Sequence, residues 1–192
     1  KSIDFSQLLT DAKNKRQPYS QDTATKPDRV FNQDGDGCGG MSIDVYEGYA
    51  LFSWYNAFIY TLKNEILTAF QIVFPEILGA YEKVRFESKL PISSHIYGKM
   101  APEKFIILEN GVKYQVFLND GLMTGIFLDQ HEVRGTLLEH LAAGKDILNL
   151  FSYTAAFSVA AAMGGAKSTT SIELAKRSRD LSDAHFKVNG LA

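Results

Sequence analysis

Sulfur chemistry is nearly absent from this 192-residue chain. Its single cysteine, Cys38, excludes an intramolecular disulfide, and the glycine-rich turn around it supplies no base to activate a thiol nucleophile. No apolar stretch reaches the roughly 18 residues of a membrane span, so no membrane partner is expected. An excess of either charge is also missing: 20 Lys and Arg against 22 Asp and Glu leave −2, so any contact with nucleic acid has to be local. The four histidines, His95, His131, His140 and His185, are scattered, and none stands at metal-ligand spacing from a cysteine or carboxylate; no metal is expected. With no disulfide and no visible leader, the expected compartment is the cytoplasm.

Two binding signatures are present only in part. Asn32-Gln-Asp34-Gly-Asp36-Gly37 starts like a calcium loop, but the twelfth position, which needs a bidentate acid, is Ile43, so a β-turn is expected instead. Gly164-Gly165-Ala166-Lys167-Ser168 ends like a phosphate-binding loop, but the two required glycines fall at Ala161 and Ala166.

What the chain does carry is ordinary globular composition, 45% hydrophobic and 22% charged, at a length that holds one domain or two small ones. Ile3, Leu8, Leu9 and Ala12 predict a helix over residues 3–14, followed by a polar linker that starts with the basic cluster Lys13, Lys15 and Arg16 and runs to Lys26. RVF, MSIDVY and YALFSWY predict short strands. Ile59, Leu62, Ile66, Phe70 and Val73 predict one helix over 56–74, and YEKVRFES a strand that returns to the same sheet. The expected arrangement is a helix on one face of a small antiparallel sheet, with residues 90–103 as a looser connection. Asn110-Gly111 lies between two alternating strands and supplies the positive φ of a tight hairpin turn. A helix over 132–143, an apolar strand over 146–151, a helix over 155–163, a strand over 168–173 and a helix over 175–188 then open a doubly wound sheet. The fold class is therefore α+β followed by α/β. Residues 1–27 form a linker helix and linker, 28–105 a central α+β domain, 106–128 a connecting hairpin, and 129–192 the first part of a Rossmann-like domain.

In a doubly wound sheet, ligands sit beyond the carboxyl ends of the strands, where the first strand turns into its helix. Ser152 to Ala156 occupy that place, and Glu173 ends the second strand about 20 residues on, where an acid accepts both hydroxyls of a ribose. The bend reads S-Y-T-A-A-F and lacks the G-x-G-x-x-G glycines that bring a pyrophosphate against a helix N-terminus. An adenosine ligand without phosphates is favoured, and S-adenosylmethionine is such a ligand.

TGIFLDQ (124–130), Arg134, ILNLFSYTAAFSVAAAMGGA (147–166), SIELAKRS (171–178) and Asn189-Gly190 resemble the ribosomal large-subunit methyltransferase I family. VFNQDGDGCGGMSIDVYEGYALFSWYN resembles that family's central α+β domain, so the resemblance covers residues 28–192. It implies S-adenosylmethionine-dependent formation of 5-methylcytosine in 23S ribosomal RNA, with RNA as partner and a Rossmann-like class I methyltransferase domain. It also implies cofactor contacts around Phe151, Ser152, Tyr153 and Thr154, with Glu173 at the ribose and Gln130 and Arg134 near the methionine moiety. The chain departs from the family at Ala155 and Ala156, where two glycines are usual, and at His131, where an arginine is.

The family's later motifs, including its proline-containing loop and nucleophilic cysteine, would lie beyond Ala192, and most of its N-terminal PUA domain would precede Lys1. A fragment carrying no catalytic residue is therefore expected. Strand 146–151 would be central in the complete sheet, so it is expected to pair with a second copy or with the missing C-terminal fragment, or else to be badly ordered. Two other readings stay open: a non-enzymatic RNA-binding or assembly module, and a nicotinamide-dependent oxidoreductase.

Overall fold

The structure is a computed structural model that describes residues 3–18, 25 and 27–191. The chain divides into two compact units: residues 1–23, 27–103 and 118–122 make the first, and residues 24–26, 104–117 and 123–192 the second. Much of the expected linker, residues 19–24 and 26, lies outside the described residues.

The first unit contains α1 (Phe5–Arg16), β1 (Asp28–Asn32), β2 (Met41–Tyr46), β3 (Tyr49–Trp54), α2 (Ala57–Thr61), α3 (Lys63–Val73), β4 (Gly79–Val84) and β5 (Ser93–Gly98). Its five strands lie in the order β1-β2-β3-β4-β5. The sheet is mixed rather than antiparallel, because the helical crossover through α2 and α3 brings β4 back parallel to β3, with Trp54 opposite Val84. Period two puts Met41, Ile43, Phe52 and Trp54 on one face, and α1 and α3 cover that face with Phe5, Leu9, Ile66 and Phe70. The Phe52 ring stacks on Trp54 at 5.6 Å and meets Phe70 edge-on at 5.0 Å.

Local chemistry explains where this unit departs from the pattern read in the sequence. The helix expected over 56–74 is broken at Leu62 (φ −92°, ψ 7°), where the Thr61 hydroxyl donates back to the Phe58 carbonyl at 2.6 Å. Strand β5 lies in the segment expected to be loose; all but its last residue are half-buried, so it carries no apolar alternation to read. The basic cluster forms the last turn of α1 instead of a linker. Lys13 donates to the Val73 carbonyl at 2.7 Å and sits 4.7 Å over the Phe74 ring, while Arg16 and Lys15 hold Asp36 at 2.6 and 3.4 Å.

The second unit contains the hairpin β6 (Phe105–Glu109) and β7 (Val112–Val116), α4 (His131–Thr136), β8 (Asp146–Leu150), α5 (Ala156–Met163), β9 (Ser168–Ile172) and α6 (Lys176–Val188). The hairpin, expected as a connector, belongs to this unit, and the Tyr114 hydroxyl donates to the Ala156 carbonyl at 3.3 Å. A 3₁₀ turn, Leu128–Gln130, leads into α4, and a π-helical turn, Leu137–Leu141, follows it. β8 and β9 are parallel, joined through α5, with Leu148 opposite Thr170 and Leu150 opposite Ile172. One face packs on α5 through Asn149, Ser158 and Ser171; on the other, Leu148, Leu150 and Ile172 are more than half exposed. Among the described residues, no helix is long and apolar enough to cross a membrane.

Lys83 makes the first unit sensitive to pH. It is fully buried on β4, its ammonium donates to the Gly121 carbonyl at 2.7 Å, and burial, with a smaller push from Arg85, lowers its pKa from 10.5 to about 8. Between those two values the unfolded chain binds the proton that the folded chain releases, so stability rises with pH. Urea unfolding should show wild type gaining on Lys83→Met as pH rises from about 8 toward 10.5, with the gain lost again as pH falls through 8. A difference that does not change with pH contradicts this.

Candidate functional site

The chain leaves β8 through a bend in which every second residue is left-handed: Phe151 at φ 55°, Tyr153 at 51° and Ala155 at 59°. None is glycine, and an L-residue in this region costs about 1–2 kcal/mol. The cost is met by hydrogen bonds that leave the bend no other course. The Ser152 N–H donates to the Ile172 carbonyl at 3.0 Å, the Ala155 N–H to the Ser152 carbonyl at 2.8 Å, and the Tyr153 N–H to Glu173 Oε2 at 2.8 Å. Gly125 grips the bend from a second segment: its N–H donates to the Tyr153 hydroxyl at 2.9 Å and its carbonyl accepts from the Thr154 hydroxyl at 2.6 Å. Gly125 has φ 100°, and a Cβ there would lie 2.8 Å from the Gln115 carbonyl oxygen, so only glycine fits.

α6 supports the bend through His185. Its Nδ1 lies 3.0 Å from the Thr154 carbonyl and its Nε2 3.1 Å from the Gln115 carbonyl. Burial lowers its pKa against the pull of those two carbonyls. A neutral ring has one N–H, so it donates to one carbonyl at a time.

These bonds decide which ligand suits the bend. The N–H groups of Ser152, Tyr153 and Ala155 already donate inside the protein, so these three are not offered to a phosphate. Glu173 is different. Each of its oxygens accepts one backbone N–H, from Tyr153 at 2.8 Å and from Ala175 at 3.0 Å, and a carboxylate has about four acceptor sites. The Ala175 and Tyr153 N–H groups hold its pKa below the usual carboxylate value, so it stays ionised and aimed, with acceptor capacity left for a diol. Apolar surface flanks it: Phe151 is 90% and Leu174 94% exposed, and the Phe127 ring lies 5.5 Å from the Tyr153 ring. A fixed acid between exposed apolar side chains, at the carboxyl ends of two parallel strands, fits a nucleoside.

The residues singled out in the sequence divide into two groups. Tyr153 and Glu173 meet at the bend, Phe151 stands exposed beside them, and Gln130 is half-buried at the start of α4, three residues after Phe127. Ser152 and Thr154 turn inward, and Thr154 spends its hydroxyl on Gly125, so its side chain holds the scaffold. Arg134 also lies inside. Expected near the methionine moiety, it is 2% exposed and paired with Glu109, Nε to Oε1 at 2.6 Å and Nη2 to Oε2 at 2.8 Å. Glu109, Gly125, Leu174 and His185 are given no role at the site by the sequence alone. Glu109 alone had a visible signal, since it shares the inward parity of Phe105 and Ile107 on β6.

A parallel β-α-β unit with an acid just after its second strand is the opening of a Rossmann-like fold, whose ligands sit at the carboxyl ends of the strands. The chain belongs to the S-adenosylmethionine-dependent methyltransferase family, whose model matches residues 89–192. The relative named ribosomal RNA large subunit methyltransferase YwbD from Bacillus subtilis is 43% identical over 97% of this chain and 48% of its own length. Ribosomal RNA large subunit methyltransferase I from Alteromonas mediterranea is 32% identical over 84% of this chain and 41% of its own. A solved structure from Streptococcus mutans, described as a SAM-dependent methyltransferase, superposes at a TM-score of 0.94 with 57% identity over all of this chain and 51% of that one. A second structure with the same figures is described as a complex with SAH. The chain thus spans about half the length of the relatives it matches.

Ala155 is the strained departure from the family's glycines, whereas Ala156 opens α5 with no positive φ. Ala155→Gly should therefore stabilise the fold by about 1 kcal/mol, and Ala156→Gly should not. Urea denaturation of both variants checks this; equal effects would contradict it.

Proposed function

We propose that this chain is the cofactor-binding part of an S-adenosylmethionine-dependent methyltransferase that acts on ribosomal RNA in the cytoplasm, at cytosine C5. The family match and the relatives' names support the methyltransferase reading and the RNA class. The resemblance of the FLDQ and NLFSYT blocks carries the cytosine reading. When bound, the cofactor supplies a methyl group activated on a sulfonium.

The chain's own residues bind and align. Glu173 accepts the ribose hydroxyls, Phe151 and Leu174 give the base apolar surface, and Gln130 stands at the methionine end. Ser152, Tyr153 and Thr154 shape the bend. We assign no catalytic side chain here: Cys38 is buried in the first unit, and burial raises its pKa away from the thiolate. The contribution is orientation of the donor methyl toward an acceptor base.

The observation that carries the reading is the Glu173 carboxylate, held ionised by two backbone N–H groups beside a bend in which three N–H groups already donate within the protein. Isothermal titration of the full-length protein should show S-adenosylhomocysteine binding in preference to NAD, and Glu173→Ala should weaken it by about 10-fold to 100-fold. Preference for NAD would favour the oxidoreductase reading. No binding of either would favour an RNA-binding module.

We also propose that the outer face and edge of β8 are covered in the working protein, by a second copy or by further chain. Leu148, Leu150 and Ile172 expose apolar surface beside strand edges that invite pairing. The 192-residue chain expressed alone should self-associate in sedimentation, and Leu148→Lys with Leu150→Lys should reduce that. A stable monomer at all concentrations would contradict it.

A further inference from the structure

Glu109 on β6 and Arg134 on α4 are a fully buried pair of opposite charges, 1% and 2% exposed. Their contact is bidentate, at 2.6 and 2.8 Å, and the guanidinium also lies 5.4 Å over the Phe157 ring of α5. The same Nη2 that meets Glu109 donates at 2.7 Å to the Phe127 carbonyl, which opens the Leu128–Gln130 turn. That carbonyl also accepts the Gln130 N–H at 3.3 Å, and the Phe127 ring lies against Tyr153. One guanidinium therefore ties the hairpin and α5 to the aromatic wall of the bend.

Buried ion pairs are weak as stability devices, because desolvation offsets their attraction and apolar replacements of similar volume often fold as well. What an apolar pair cannot reproduce is the third bond, to the Phe127 carbonyl. Without it, the Phe127 carbonyl keeps only the Gln130 N–H, while His131 of α4 holds the next carbonyl, that of Leu128, at 3.0 Å.

We propose that Glu109 and Arg134 are positioning residues of the cofactor site: by holding the Phe127 carbonyl they set the Phe127 and Tyr153 rings and the place of Gln130. This rests on the reading of the bend as an S-adenosylmethionine site. The pair does not touch the cofactor. It fixes the groups that do.

The test uses the full-length protein and the double variant Glu109→Leu with Arg134→Met, which removes both charges together. It should melt close to wild type, yet bind S-adenosylhomocysteine at least tenfold more weakly and exchange the amides of residues 128–131 faster. A folded double variant with wild-type affinity and wild-type exchange overturns the proposal and leaves the cofactor reading intact. A wild-type protein that does not bind S-adenosylhomocysteine overturns the cofactor reading, and this proposal falls with it. If the double variant does not fold, Arg134→Lys decides: with one nitrogen in place of a fork, it should lose affinity severalfold, and unchanged affinity overturns the proposal.

Discussion

One hydrogen bond, from the Tyr153 N–H to the Glu173 carboxylate, joins the end of the first parallel strand to the end of the second. It fixes a left-handed Tyr153 beside two other left-handed residues, and it leaves an ionised acid at the mouth of the sheet. The Gly125 contacts, the His185 support and the β8–β9 register all converge on that arrangement. Backbone strain is tolerated in this way only where surrounding structure over-determines the conformation. A bend that uses three of its N–H groups internally and leaves a carboxylate partly free suits hydroxyl groups better than phosphate.

Much of the fold was legible because its signals are local. Asn110 and Gly111 both take positive φ, 50° and 74°, and Asn-Gly between alternating strands states as much. The apolar run ILNL and the small-residue helix after it announced β8 and α5, since a helix of Ala and Ser approaches a sheet closely. β5 was silent because an evenly half-buried strand has no alternation. The parallel pairing of β3 with β4 depends on where the crossover returns, and residue spacing does not record that.

The site was legible at its rim and illegible beneath. Glu173 and Tyr153 stand where strand ends and an acid at the right interval put them. Arg134 shows the limit: its place beside the FLDQ block is plain in the sequence, but its direction depends on Glu109, 25 residues earlier on another element. Gly125 and His185 likewise act through long-range contacts to the bend, 28 and 31 residues from their partners. Residues at the mouth of the sheet sit in recognisable local patterns, whereas residues that hold them are chosen by packing.

The central claim is that the carboxylate at this bend receives a ribose. A crystal structure of the full-length protein with S-adenosylhomocysteine tests it most directly. Both ribose hydroxyls should lie within hydrogen-bond distance of Glu173, with the Tyr153 N–H still donating to the same carboxylate. A ribose placed away from Glu173, or a Glu173 that must release Tyr153 to reach it, would contradict the account.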